Sequence, residues 1–174
     1  HRRLSTVLAG AFYKRNSAFS RLILMCAVLS TLTVSALAAD YTYVNPRFGT
    51  RCTFPADIFS EPQPEPENGD GQEWLSADGA RLVCSGMFNV MDETPKSYVA
   101  SEKASQTGDY TITYSKTAKD WAVLSGYREG NVFYQRRLFG RDEVIRSVWS
   151  EYPPALKAKY DPLAGRIAKS LRGP

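Results

Sequence analysis

Two hydrophobic spacings divide this chain. In the C-terminal third, Leu156, Tyr160, Leu163, Ile167 and Leu171 recur three and four residues apart, the period of a helix with one buried face. The spacing predicts a helix over Pro154 to Leu171, with Asp161-Pro162 kinking or restarting it and Asp161 capping the second part. Upstream, Tyr110, Ile112 and Tyr114 alternate with Thr111, Thr113 and Ser115, the two-residue period of a half-buried strand. Strand-like runs follow at Trp121 to Tyr127, Val132 to Phe139 and Val144 to Trp149, with turns at Gly130-Asn131 and Gly140-Arg141-Asp142. This half of the chain therefore reads as an antiparallel meander.

Earlier elements follow from turn chemistry. Asn45-Pro46-Arg47-Phe48-Gly49 separates two short runs rich in aromatic and β-branched residues, Tyr41 to Val44 and Thr50 to Phe54, which predicts a hairpin. Asp78-Gly79 joins two further strands, Glu73 to Ala77 and Arg81 to Val90. Thr94-Pro95 places a capping hydroxyl before a proline suited to the first helical position, so a second helix is expected from there to about Ser105. Strands in two groups, with helices at mid-chain and at the end, predict an α+β domain over residues 39–174: an antiparallel β-sheet packed by a mid-chain helix and a C-terminal helix.

The first 38 residues follow another pattern. Arg21 precedes the uncharged run Leu22 to Val34, 13 residues including Ser30, Thr31 and Thr33, and Ser35-Ala36-Leu37-Ala38-Ala39-Asp40 comes next. A bilayer span needs about 20 apolar residues, so the run is short for one. It matches the apolar core of a signal peptide, with small residues at Ala36 and Ala38 setting cleavage between Ala38 and Ala39. Residues 1–38 are thus expected to be a signal peptide with an extended n-region, leaving no stable membrane span after cleavage and an exported protein, periplasmic or secreted.

Removing the leader changes the charge. The chain has 22 Lys and Arg against 18 Asp and Glu. Five cations (Arg2, Arg3, Lys14, Arg15, Arg21) and no acids precede Ala39, so 17 cations face 18 acids in residues 39–174, a formal net of −1. Without a basic excess no long-range field favours nucleic acid. The segment Phe133 to Arg141 interleaves aromatic and basic residues, and its expected role is a solvated strand face.

The leader also holds His1, the only histidine, and Cys26. Ser/His and Cys/His nucleophilic catalysis and ordinary His-containing zinc sites are therefore excluded from residues 39–174. Neither Ser-x-x-Lys nor Gly-x-Ser-x-Gly occurs. A pair of acids performing glycoside chemistry remains open, but the sequence singles out no pair among the 18 acidic residues. The expectation is a non-catalytic protein. Cys52 and Cys84 remain, and an oxidising compartment permits them to pair, two separate buried thiols being the alternative.

The segment Glu61-Pro62-Gln63-Pro64-Glu65-Pro66-Glu67 cannot enter a sheet interior, because its prolines lack donors. An extended Pro/Glu-rich loop over residues 61–73 is expected, closed by the flexible Asn68-Gly69-Asp70-Gly71. Glu65, Glu67, Asp70 and Glu73 supply oxygen ligands of the kind Ca²⁺ takes, although the spacing is not that of an EF-hand. The loop is expected to be dispensable for folding and to provide a docking strip for a partner protein. The large aromatics, including all three tryptophans, are expected in the core, with an aromatic ligand platform as the alternative.

Tyr41 to Gly49, followed by Thr53-Phe54-Pro55-Ala56-Asp57-Ile58-Phe59, resembles the opening hairpin of PsbP-like proteins. With Glu67 to Gly71, Leu124-Ser125-Gly126-Tyr127 and the helix at Tyr160-Asp161-Pro162, the chain also resembles a group of short exported bacterial proteins of unknown function. The resemblance implies an α/β/α sandwich and a binding or accessory role, with no functional residue carried over. Phe59 stands where a tryptophan is common, and the acidic insert lies outside the pattern. The reading of the whole sequence is an exported, non-catalytic binding or accessory protein of the cell envelope, acting on an envelope protein partner. A calcium-binding domain and a carboxylate-based glycan hydrolase are the alternatives.

Overall fold

A computed structural model describes residues 39–174. The predicted first hairpin is formed by β1 (Asp40–Val44) and β2 (Arg51–Pro55), a two-stranded antiparallel sheet. Asn45 builds its turn. The side-chain oxygen of this buried residue accepts from the amides of Arg47 and Phe48, and its amide group donates to the Tyr43 hydroxyl and the Gly69 carbonyl.

Seven strands form the main sheet: β3 (Glu61–Pro62), β4 (Gly71–Leu75), β5 (Arg81–Phe88), β6 (Tyr110–Thr117), β7 (Trp121–Arg128), β8 (Asn131–Phe139) and β9 (Val144–Tyr152). Their order is β3-β4-β5-β9-β8-β7-β6, and every neighbouring pair is antiparallel. Helix α1 (Pro95–Ala104) connects β5 to β6. A 3-10 turn (Pro154–Leu156) leads into α2 (Lys157–Ser170). Thr94 caps α1 as expected, in a reciprocal box in which its hydroxyl accepts from the Ser97 amide and Ser97 Oγ accepts from the Thr94 amide.

The helices lie on opposite faces of the sheet. On one face, Leu82, Cys84, Val148 and Tyr152 pack against Cys52 and Phe54 of the hairpin and Tyr160, Leu163, Ala164 and Ile167 of α2. On the other, Ala122, Leu124 and Phe133 pack against Tyr98 and Val99 of α1. Strand alternation makes this division: Val132 faces α2 while its neighbour Phe133 faces α1. Cys52 and Cys84 form a disulfide between the hairpin and the main sheet, with Cα atoms 6.4 Å apart.

Three expectations change. Pro162 lies inside α2 without breaking it, and Asp161 caps nothing; its carboxylate accepts from the Tyr152 hydroxyl at 2.7 Å and pairs with Lys157. One missing donor is outweighed by the face that Tyr160, Leu163 and Ile167 bury. Second, Tyr110, Ile112 and Tyr114 do not share a face. A bulge between Ile112 and Tyr114 sends Tyr114 to the opposite side, where it is exposed. Gly126 opposes the bulge, and a Cβ there would collide with the Thr111 carbonyl oxygen. Third, the acidic loop is not separate from the fold. Glu61–Pro62 is an edge strand, Gly71 to Glu73 belong to β4, and Glu73 forms an ion pair with Arg81 at 2.6 Å. Prolines fit an edge, where one side of the strand needs no donor, so deleting residues 61–73 would remove part of the sheet.

Candidate functional site

Helix α1 covers the β6–β9 half of the sheet incompletely and leaves a cavity of 270 Å³ beneath it. The sequence places its lining by period. Gln135 and Arg137 are alternate residues of β8 and project toward α1, as does Trp149, paired with Gln135 in the ladder. Tyr98 and Glu102 stand one turn apart on α1, and Tyr110 opens β6. Arg128, at the exposed end of β7, completes the lining.

Hydrogen bonds fix these side chains to one another. The Tyr98 hydroxyl donates to Gln135 Oε1 at 2.5 Å, and Gln135 Nε2 donates to Ser147 Oγ at 3.2 Å. The Tyr110 hydroxyl donates to Glu102 Oε2 at 2.7 Å. The Trp149 indole donates to Glu151 at 3.0 Å and stacks on Phe133 with ring centroids 4.7 Å apart. Burial pushes both phenols up, and for Tyr110 the bond to the Glu102 carboxylate pushes in the same direction. Both therefore stay protonated as donors in neutral solution.

The two arginines are held differently. The Arg137 guanidinium lies over the Tyr98 ring at 4.1 Å and Arg128 over Trp149 at 5.5 Å. Arg137 comes no closer to a carboxylate than 3.9 Å, to Glu93, and its buried Nε has no hydrogen-bond partner. Among the described residues the Arg128 side chain makes neither an ion pair nor a hydrogen bond, and its guanidinium is exposed. Burying a polar group without a partner is costly. The Arg137 Nε is such a group, whereas Arg128 is exposed to solvent, so the aromatic-walled cavity carries one buried and one exposed guanidinium with unused donors at its edge.

The sequence-predicted site residues lie elsewhere. Glu65, Glu67, Asp70 and Glu73 do not converge, and among the described residues no group of three or more His, Cys, Asp or Glu side chains could hold a metal ion. Glu73 is engaged by Arg81, while Asp70 accepts from Asn68 at 2.8 Å. The melting temperature is expected to be the same in millimolar Ca²⁺ and in excess chelator; a rise of several degrees with Ca²⁺ would restore the calcium reading. Ala38 lies outside the described residues, and Ala39 is the first of them. Asp78, whose carboxyl is held well below the usual range by Lys159, Tyr160 and Ser76, is a joint between the β4–β5 turn and α2.

Reading Phe133 to Arg141 as a solvated strand face missed the site. Arg136 and Arg137 are stacked on Trp121 and Tyr98 rather than projecting freely. The available signal was the alternation itself, which puts Phe133, Gln135 and Arg137 on one face.

The chain matches no protein-family model and no curated protein. Its structure is similar to the solution structure of cyanobacterial PsbP (CyanoP) from Synechocystis sp. PCC 6803, with a TM-score of 0.57 and 10% sequence identity over 84% of this chain and 99% of that one. At that identity the likeness fixes architecture alone: the chain has a PsbP-like α+β fold.

Proposed function

We propose that residues 39–174 form an exported, non-catalytic binding domain of the cell envelope, delivered by the leader 1–38, with its ligand seated in the cavity beneath α1. The observation that carries this reading is the pair of guanidiniums, free of hydrogen bonds among the described residues, at an aromatic-walled cavity. The lining is suited to holding rather than reacting. Its phenols remain protonated, its carboxylate is bonded to one of them, and guanidinium does not exchange protons near neutrality. An accessory role with an envelope protein partner, which the resemblance of the opening hairpin implies, belongs to this reading. No helix of the described residues is long and apolar enough to cross a membrane, and the disulfide accords with an oxidising compartment.

The test is thermal unfolding of the purified domain against small-molecule fractions of the host envelope. At least one fraction is expected to raise the melting temperature, since a ligand at 100 times its Kd stabilises by about 2.7 kcal/mol. No shift in any fraction would overturn the reading.

A further inference from the structure

The lining specifies a ligand chemistry, an inference that rests on the binding reading above. Arg128 lies opposite Asn131 and Arg137 opposite Ala122 in the β7–β8 ladder. Their backbones are therefore six residues apart, roughly 20 Å at the usual rise per residue, and the two side chains reach the cavity from opposite ends. Arg128 is exposed at one end, whereas the Arg137 side chain is only 20% exposed at the other. An anion gains most where water is excluded, so Arg137 is the stronger acceptor of charge.

Charge and shape set further limits. The lining holds two guanidiniums and one carboxylate, Glu102, already bonded to Tyr110. Glu93 stands 3.9 Å behind Arg137 and offsets part of its charge. That balance suits one negative charge rather than two. Tyr98, Tyr110 and Trp149 give the cavity an aromatic lining, with Phe133 stacked behind Tyr110 and Trp149, and 270 Å³ lies just below the range of about 300–1,000 Å³ typical of drug-sized ligands.

We infer that the cavity beneath α1 binds a small aromatic monocarboxylate, its carboxylate on Arg137, its ring among Tyr98, Tyr110 and Trp149, and a second oxygen at its far end facing Arg128. A planar fork matches a carboxylate with two parallel N–H donors, a match that lysine cannot make. The exposed Arg128 contributes less, because water competes for its donors.

The test titrates the intact domain with 4-hydroxybenzoate and with its neutral counterpart 4-hydroxybenzamide, followed by calorimetry and tryptophan fluorescence. The acid is expected to bind at least tenfold more tightly than the amide. Arg137→Lys should remove most of that preference, and Arg128→Gln should weaken the acid a few-fold while leaving the preference intact. Because the comparison of acid with amide needs no substitution, it stands even if the Arg137 variant folds poorly. Equal affinity for acid and amide would overturn the carboxylate inference and leave the binding reading in place. Binding of neither at millimolar concentration would also overturn it, and the envelope fractions then decide the binding reading separately.

Discussion

Reduction of the Cys52–Cys84 disulfide is expected to lower the melting temperature by roughly 10 °C. Both cysteines are fully buried and 32 residues apart in sequence. In the chain-entropy account, a loop of that length constrains the unfolded state by about 3–4 kcal/mol, and in a domain of this size each kcal/mol corresponds to a few degrees. The bond joins β2 of the hairpin to β5 of the main sheet. Its loss therefore falls on the docking of hairpin to sheet, and β6 to β9 should be the last elements to open. Hydrogen exchange of the Cys52→Ala/Cys84→Ala variant should show protection lost first in Asp40–Pro55. An unchanged melting temperature in strong reductant, with the thiols shown to be free, would contradict this.

Arg146 carries the second large effect. Its side chain is 4% exposed on the hairpin face of the sheet, donating to the Phe48 carbonyl from Nε at 3.0 Å and Nη2 at 2.8 Å, and to Asp142 from Nη1 and Nη2. It thus ties the turn of the first hairpin to β9. Arg146→Met keeps the approximate volume but strands the Phe48 carbonyl, and is expected to cost about 3 kcal/mol in urea unfolding at neutral pH. Asp142→Asn should cost less, about 1 kcal/mol, because the Asp142 side chain is 45% exposed. The bond from Arg146 holds the Asp142 carboxyl below the usual carboxylate range. A depressed folded pKa contributes stability that is complete above the unfolded value, about 3.9, and is lost as pH falls through the folded one. The difference between wild type and Arg146→Met should therefore narrow below pH 4. A variant as stable as wild type at neutral pH would show that the guanidinium contributes nothing net.

The backbone plan was legible because period and turn chemistry agreed. Thr94-Pro95 marked the start of α1, Asp78-Gly79 the β4–β5 turn, and Asn45 to Gly49 the first hairpin. The failures came where tertiary contacts overrode local signals. A strict alternation at Tyr110 to Tyr114 cannot reveal the extra residue that a bulge inserts, and only Gly126 across the ladder accommodates it. Pro162 looked like a break because sequence shows the missing donor and not the packing that compensates for it. The acidic segment looked free because its prolines concealed an edge strand and its carboxylates showed no partners, although Arg81 was waiting for Glu73 across the β4–β5 pair.

The cavity was hardest to foresee. Its lining comes from α1, β6, β7, β8 and β9, spread from Tyr98 to Trp149. No short motif spans that interval. Tyr98 and Tyr110 read as core aromatics, and Arg137 as an exposed strand cation. Only the crossing of α1 over the sheet makes them neighbours.

The central claim is that a leader-delivered domain holds a small molecule beneath α1. Its most direct test is mass spectrometry of the protein isolated from its host, under native and denaturing conditions, for wild type and for Glu102→Trp, which sets a bulky ring at the cavity wall. The account predicts a denatured mass beginning at Ala39, a native wild-type mass exceeding it by one small organic molecule, and no such excess in the variant. A native mass equal to the bare chain in both proteins, or an excess that persists in Glu102→Trp, would contradict it.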